Sequence, residues 1–114
     1  IRYWNKGAEK MYGWAEHEVL GKSIRELLYS DYAAYDAAIA EMIKNGEWNG
    51  DIEQRTRDGR VLIVEGRWTL VRDARGVPQS VLAINGDVTE RRTFERHLLR
   101  AQRLESIGTL AGGI

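Results

Sequence analysis

Two histidines are the side chains of this chain best suited to bind a metal or to transfer protons at neutral pH. His17 lies in AEHEV between two glutamates, and His97 lies among arginines. Isolated histidines in such charged helical stretches are usually solvated rather than ligands. The chain has no cysteine, which excludes thiolate nucleophiles, cysteine metal sites and cysteinyl-flavin chemistry. The sequence therefore predicts no metal site and shows no evident haem ligand.

No set of residues is spaced for catalysis. No carboxylate pair is marked as an acid/base couple, and no combination of Ser, His and Asp stands out. The glycines of GTLAGG follow a helical pattern rather than the strand that a phosphate-binding loop requires. The chain is therefore predicted not to be an enzyme by itself.

Four residues are candidates for binding a small ligand in a cavity: Met11, Met42, Trp68 and Asn85. Asn85 is the most informative because it is a polar amide in an otherwise apolar stretch. A buried amide of this kind needs a ligand, a water or the backbone as its partner. The apolar candidates could equally be ordinary core residues.

The elements that must position these residues begin with a helical half. IRYW is short, apolar and aromatic, and predicts the end of a strand. A helix is predicted between Asn5 and Gly13, and Ser23 with Glu26 has the form of a capping box for a later turn. From Asp31 to Lys44 the spacing predicts a longer helix that ends at the following NG. Its apolar face comprises Tyr35, Ala38, Ile39, Met42 and Ile43.

The second half of the chain has the period-two pattern of strands. EWNGDIEQRT predicts one strand, RDGR predicts the Asp-Gly turn of a hairpin, and VLIVEGRWTLV predicts a longer strand. QSVLAINGDV predicts a third strand that is apolar on both sides, so both of its faces should be covered. The apolar face of the second strand comprises Leu62, Val64, Trp68 and Leu70. Short helices followed by a meander predict an α+β fold with a pocket between an antiparallel sheet and helices on one face.

Composition and charge are those of an ordinary globular domain. The 114 residues are 43% hydrophobic and 30% charged, and 17 basic side chains balance 17 acidic ones. A neutral chain has no net field to recruit nucleic acid, and the C-terminal arginines alternate with glutamates as on a solvated face. No segment is apolar enough to span a membrane and no signal peptide is visible, so a cytoplasmic location is predicted.

A long helix is predicted after Asp87, because TERRTFERHLLRAQRLESI contains neither glycine nor proline. Asp87 and Thr89 lie where the last strand becomes this helix and can bond free backbone groups, as an ordinary cap or as a coupling between strand and helix. A slip in the apolar spacing of the helix is either a switchable point or ordinary irregularity. Two sets of apolar residues have coiled-coil spacing and predict a homodimer: Phe94, Leu98 and Ala101, then Leu104, Ile107, Ala111 and Ile114.

Three stretches, in their order and spacing, resemble the PAS sensory domain with its PAC segment: WNKGAEKMYGWAEHEVLGKS, EWNGDIEQRTRDGR and VRDARGVPQSVLAINGDVTERR. DVTERR resembles the Asp-Ile/Val-Thr signature at the junction between the last strand and the output helix of that family. The resemblance runs from Ile1 to about Arg92. It implies the PAS fold, with a sensor domain over residues 1–89 and a long helical linker over residues 90–114.

The PAS family has a further strand that is missing from this chain. In the family it lies in the sheet between the strand containing IRYW and the last strand. The resemblance therefore implies that these two strands are not paired with each other, and that another segment or molecule fills the gap between them.

The tail RLESIGTLAGGI resembles the beginning of the dimerisation and phosphoacceptor helix of sensor histidine kinases. The chain ends before the histidine expected there, and neither His17 nor His97 occupies that position. The resemblance implies the sensor of a histidine kinase, in which Asp87 and Thr89 relay a stimulus or partner contact through the C-terminal helix to downstream kinase domains.

Two alternatives remain open from the sequence. The same sensor could control another output, such as a cyclase or a transcription factor, or the chain could be a ligand-free dimerisation module.

PAS domains bind haem, flavin, small acids or nothing. No cofactor is evident here, so an empty pocket or a small-molecule ligand is expected.

Overall fold

A computed structural model describes the backbone of residues 1–111 and the side chains of residues 1–105. Gly112, Gly113 and Ile114, and the predicted interface side chains of Ile107 and Ala111, lie outside the described residues. The elements are α1 (Lys6–Tyr12), α2 (Glu16–Val19), α3 (Ile24–Leu28), α4 (Tyr32–Asn45), β1 (Glu47–Arg55), β2 (Val61–Arg72), β3 (Pro78–Asp87) and α5 (Thr89–Ala111).

Local capping determines where the main helices of the first half begin and end. Asn5 Oδ1 accepts a hydrogen bond from Ala8 N at 2.8 Å at the start of α1, and Gly13, with φ 78°, ends that helix. Asp31 caps α4 through its side chain in the same way, and Gly46, with φ 83°, ends it. The predicted ends of both helices are confirmed.

Two details of the helices differ from the prediction. The helix start predicted at Ser23 is confirmed, because α3 begins directly after it, but the Ser23 side chain makes no capping hydrogen bond and the predicted capping box does not form. Ile43 was placed on the apolar face of α4, yet it is 52% exposed, whereas Met42 is 1% exposed. Consecutive residues of a helix lie about 100° apart, so Ile43 points away from the stripe that Met42 occupies.

The three strands form one antiparallel sheet in the order β1-β2-β3. Asp-Gly at Asp58 and Gly59 closes the first hairpin, where Thr56 N donates to Arg60 O at 2.9 Å and Gly59 has a φ of 87°. The register places Trp68 opposite Ala83 and Gly66 opposite Asn85. The predicted meander and its hairpin are confirmed.

The expectation that IRYW ends a strand is wrong. Residues 1–5 have no strand pairing, and the backbone of Ile1 instead bonds the connection between α2 and α3: Gly21 N donates to Ile1 O at 2.8 Å, and Ile1 N donates to Lys22 O at 2.9 Å. An extended segment becomes a strand only if another strand pairs with it. Within the described residues β3 is paired along one edge only, with β2.

The core lies between the helices and one face of the sheet. Ile52 of β1 and Leu62, Val64 and Trp68 of β2 are buried at alternate positions, as the period-two pattern predicts. They pack with helical side chains that include Val19, Leu28, Tyr29, Ala38 and Met42. The opposite face is exposed, and so is β3, where Leu82 is 58% and Ile84 61% exposed. The expectation that both faces of β3 are covered is therefore wrong within the described residues.

Candidate functional site

A cavity of about 310 Å³ lies between β3 and the helices, which is within the range of small-ligand sites. Its apolar and aromatic wall is formed chiefly by Ile24, Tyr35, Ile39 and Trp68. The sheet contributes polar side chains to the lining, among them the buried Gln54 and the half-buried Asn85. The complete lining comprises Ile1, Arg2, Lys22, Ser23, Ile24, Tyr29, Tyr35, Ile39, Gln54, Trp68, Gln79, Ser80, Val81, Ala83 and Asn85.

Two of the four residues predicted from the sequence to bind a ligand line the cavity. Trp68 and Asn85 line it, whereas Met11 and Met42 do not. Met42 is a fully buried core residue, and Met11 packs against the same core cluster. The apolar side chains of α4 that do reach the cavity are Tyr35 and Ile39.

Three residues of the site were missed from the sequence: Tyr12, Tyr29 and Gln54. All three are buried, at 3%, 1% and 2% exposure. One signal could have found Gln54, because it follows Ile52 at the next inward-facing position of β1, where an apolar residue is the rule. The tyrosines carry no comparable signal, since a buried aromatic ring on a helix, as at Tyr12, or directly after one, as at Tyr29, is ordinary.

A chain of hydrogen bonds joins these residues. Trp68 Nε1 donates to Asn85 Oδ1 at 2.9 Å, and Asn85 Nδ2 donates to Tyr12 Oη at 3.2 Å. Tyr12 Oη donates to Gln54 Oε1, and Gln54 Nε2 donates to Tyr29 Oη at 2.7 Å. Asn85 therefore has protein partners on both ends of its amide. We call these five residues the polar chain.

Burial keeps both tyrosines of the polar chain protonated. Loss of solvation raises the pKa of Tyr12 to about 12, although its hydrogen bond from Asn85 acts in the opposite direction. Burial likewise raises the pKa of Tyr29 well above its ordinary value, and its hydrogen bond from Gln54 offsets this in part. Each hydroxyl, which is protonated at neutral pH in any case, therefore retains its proton further into the alkaline range than an exposed tyrosine does.

Gly66 makes room for the Trp68–Asn85 hydrogen bond. A Cβ at this position would lie 2.9 Å from the Trp48 ring, 2.9 Å from Trp68 Nε1 and 3.3 Å from Asn85 Oδ1. The Trp48 and Trp68 rings are themselves packed together, with centroids 4.5 Å apart. A residue without a side chain is therefore needed where the two indoles and the amide meet.

Asp87 and Thr89 lie at the junction of β3 and α5, as predicted. Asp87 Oδ1 accepts from Thr89 N at 3.0 Å and from the Thr89 hydroxyl at 2.6 Å. Thr89 Oγ1 also accepts from Ile63 N at 2.9 Å, and Val88 N donates to Ile63 O at 2.9 Å. The start of α5 is therefore bonded to β2 as well as to the end of β3.

An ion-pair network holds the first turn of α5 against the exposed face of the sheet. Asp51 of β1 and Glu65 of β2 are directly opposite each other, and like charges so placed repel. Arg92 lies 2.7 Å from Asp51 and 3.2 Å from Glu65, and Arg91 lies 3.2 Å from Glu65. Hydrogen bonding from Arg92 lowers the pKa of Asp51, so this contact is present above the ordinary Asp value and is lost as the pH falls through the lowered one.

Replacing Arg92 by Gln is expected to release the start of α5 from the sheet. Amide exchange over residues 93–97 should become about two- to fivefold faster, the scale of an exposed ion-pair network. Added salt should reduce the difference in exchange rate between Arg92→Gln and the wild type, because it screens the ion pairs. Hydrogen exchange followed by mass spectrometry measures this, and Arg96→Gln is the control, because Arg96 makes no ion pair among the described side chains. Equal exchange in both variants would mean that the network does not hold the helix.

The predicted interface residues whose side chains are described, Phe94, Leu98, Ala101 and Leu104, are not buried inside the domain. Phe94, Leu98 and Leu104 are 67%, 49% and 63% exposed, and Ala101 is exposed as well. In residues 93–105 every side chain is exposed. The face is therefore available to a partner helix.

The described part of the chain has neither a metal-binding cluster nor a membrane-spanning helix. Its His, Asp and Glu side chains form no group of three or more that could hold a metal ion. Among the same residues, no helix combines the length and the apolar character needed to cross a membrane.

Comparison with known proteins identifies similar folds. A family model described as PAS fold matches residues 1–85. The chain is similar to the PAS domain of a protein from Colwellia psychrerythraea, at 26% identity and a TM-score of 0.70, over 76% of this chain and 75% of that one. It is also similar to a sensory box histidine kinase/response regulator from Burkholderia thailandensis E264, at 25% identity and a TM-score of 0.62, over 90% and 85%.

A third similar structure is an RNA-binding light-oxygen-voltage receptor, at 28% identity and a TM-score of 0.71. The match covers 95% of this chain but 31% of that receptor. No curated protein matches the chain. The residues matched by the family model include every side chain that lines the cavity.

Proposed function

Because this chain belongs to the PAS fold family, we propose that it is the sensory module of a cytoplasmic sensor histidine kinase. In this proposal residues 1–89 sense a small molecule or a partner, and residues 90–114 connect the sensor to the kinase domains. The chain itself performs no catalysis. Its role is to set how readily the downstream histidine is phosphorylated.

The observation that carries the proposal is the set of hydrogen bonds at the start of α5. Asn85 lines the cavity, and Asp87 and Thr89 follow it at alternate positions along the chain. Thr89 bonds Ile63 of β2 as well as Asp87 of β3. A ligand that shifts Asn85 or Trp68 would therefore change the two strands on which the helix begins, and so bias the packing of α5.

Two features support a histidine kinase as the output. The tail RLESIGTLAGGI resembles the beginning of a kinase dimerisation helix, and one structure similar to this chain is described as a sensory box histidine kinase/response regulator. The exposed residues Phe94, Leu98 and Leu104 support a helix that pairs with a second copy, as that output requires. A cyclase or a transcription factor accounts for the PAS fold equally well but not for the tail.

Thr89→Val in the intact kinase is expected to change basal autophosphorylation by about five- to thirtyfold, the range for one to two lost hydrogen bonds. Valine keeps the shape of threonine but removes one hydrogen bond to β2 and one to Asp87, and a hydrogen bond contributes about 1 kcal/mol to such an equilibrium. Asp87→Ala should act in the same direction. Incorporation of labelled phosphate from ATP measures the rate.

The matched control is Thr69→Val, because Thr69 is exposed on β2 and its side chain makes no hydrogen bond among the described residues. We expect this variant to retain the wild-type rate. Wild-type autophosphorylation in Thr89→Val and in Asp87→Ala would contradict the relay through the junction.

A ligand-free dimerisation module is the second candidate, and the exposed apolar face of α5 favours it. Native mass spectrometry of the purified protein separates the two functions. A bound small molecule would exclude the ligand-free module, whereas a dimer of unmodified mass that binds none of the probes described below would support it.

A further inference from the structure

The polar chain has a direction, and Trp68 determines it. An indole N–H can only donate, so Asn85 must present its carbonyl oxygen to Trp68 and its amino group to Tyr12. Tyr12 Oη therefore accepts from Asn85 and gives its single proton to Gln54 Oε1. The other end of the Gln54 amide is then the amino group, which donates to Tyr29.

Tyr29 consequently ends the polar chain with a proton that has no acceptor. Its hydroxyl oxygen accepts from Gln54, and among the described side chains and backbone groups it donates to none. The residue is 1% exposed and lines the cavity. A buried donor that lacks a partner is costly, and a ligand that supplies an acceptor would remove that cost.

The rest of the cavity wall restricts the chemistry of that ligand. Tyr35, Ile39 and Trp68 present flat or apolar surfaces, which suit a ring. Arg2 and Lys22 contribute to the lining, and no aspartate or glutamate does. The wall therefore offers no carboxylate to pair with a positive charge, whereas its two basic residues favour a negative one.

We propose that the cavity binds a small ring compound whose carbonyl or carboxylate oxygen accepts a hydrogen bond from the Tyr29 hydroxyl, and that it rejects cations. This rests on the proposed function only in taking the cavity as the sensory site. Orientation follows from the same contacts: the ring lies against Tyr35 and Trp68, and the acceptor oxygen points to Tyr29. The acceptor completes a hydrogen-bond chain that runs from the helices to Asn85 on β3.

Three compounds of nearly equal shape test this in the 114-residue chain: acetophenone has an acceptor oxygen, ethylbenzene has none, and 1-phenylethylamine is a cation at neutral pH. Binding is followed through the indole N–H signals of the four tryptophans in a ¹H–¹⁵N NMR titration. Acetophenone should bind about tenfold more tightly than ethylbenzene, the effect of one hydrogen bond to an otherwise unpaired buried donor. The amine should bind most weakly.

Tyr29→Phe should reduce the acetophenone affinity to that of ethylbenzene and leave the ethylbenzene affinity nearly unchanged. Tyr35→Phe is the matched control, because it keeps a ring in the same wall and its hydroxyl makes no hydrogen bond among the described residues. It should preserve the tenfold preference. A preference for acetophenone that survives Tyr29→Phe would overturn the proposal, and so would the absence of any shift with all three compounds at their solubility limits.

Failure of this inference is distinguishable from failure of the proposed function. A preference lost in Tyr29→Phe, together with unchanged autophosphorylation in Thr89→Val, would support the ligand chemistry and contradict the relay to the kinase. A preference that persists in Tyr29→Phe, together with changed autophosphorylation in Thr89→Val, would support the relay and overturn the assignment of Tyr29.

Discussion

Gly66→Ala is expected to destabilise the domain by about 1–3 kcal/mol, the usual cost of forcing extra atoms into a packed interior. The new Cβ would lie 2.9 Å from both the Trp48 ring and Trp68 Nε1. Neither indole can move freely, because the two rings pack on each other and Trp68 is bonded to Asn85. Urea unfolding followed by tryptophan fluorescence should show a lower midpoint with an unchanged slope.

Gly86→Ala is the matched control for this substitution. Gly86 lies on β3, its φ is not positive, and a Cβ there would meet nothing within 4 Å. Both substitutions reduce the freedom of the unfolded chain equally, so the comparison isolates the steric clash. We expect Gly86→Ala to keep or slightly raise the wild-type midpoint. Equal midpoints for the two variants would mean that the two indoles accommodate the methyl group.

Tyr12→Phe is expected to cost about 1–3 kcal/mol, because it removes the only group that links Asn85 to Gln54. Gln54 is 2% exposed, so its carbonyl oxygen would be left buried without a donor. Tyr3→Phe is the control, since Tyr3 is 92% exposed. Urea unfolding at neutral pH should show a lower midpoint for Tyr12→Phe alone, and a midpoint equal to that of Tyr3→Phe would contradict the role of the hydroxyl.

Alkaline pH provides a second readout for the same substitution. The pKa of Tyr12 is raised in the folded chain from 10.0 to about 12, so the neutral hydroxyl is favoured by folding. Its contribution to stability is complete below pH 10 and is lost as the pH rises through about 12. The wild type should therefore lose stability over this interval more steeply than Tyr12→Phe. Ionisation of Tyr29 also lowers the stability of the folded chain at alkaline pH, and it does so in both the wild type and Tyr12→Phe.

These variants separate the two roles of the polar chain. Tyr12 lies inside it and has two protein partners, whereas Tyr29 ends it and has one. Tyr12→Phe should therefore affect the free energy of unfolding more than Tyr29→Phe does. Tyr29→Phe should instead affect the selectivity of the cavity, because the proposal has its hydroxyl donate to the ligand.

Local features of this fold were predictable because their causes lie within a few residues. The Asn5 and Asp31 caps bond backbone groups three residues away, and Gly13 and Gly46 adopt the positive φ that ends a helix. The Asp58-Gly59 hairpin and the alternation along β2 are equally local. The residues at the junction, Asp87 and Thr89, were found for the same reason.

The two errors about strands have a common cause, which is the need for a partner. IRYW has the composition of a strand, but Ile1 pairs with Gly21 and Lys22 rather than with another strand. β3 has the apolar pattern of a covered strand, but Leu82 and Ile84 are exposed within the described residues. The hydrophobic pattern of a segment indicates which side chains it can bury. Whether another strand or helix packs against them depends on the tertiary structure.

The amino-acid sequence by itself determined the α+β class, the order of the helices and of the three paired strands, the family and two of the cavity residues, Trp68 and Asn85. Only the tertiary structure brought Tyr12, Gln54 and Tyr29 to them. Tyr12 and Asn85 are 73 positions apart in the chain, and Tyr12 and Gln54 are 42 apart. Such contacts depend on how the helices pack on the sheet. A pattern within a few neighbouring residues cannot predict contacts between residues so far apart in the chain. The direction of the polar chain, and the unpaired proton at its end, follow from that packing alone.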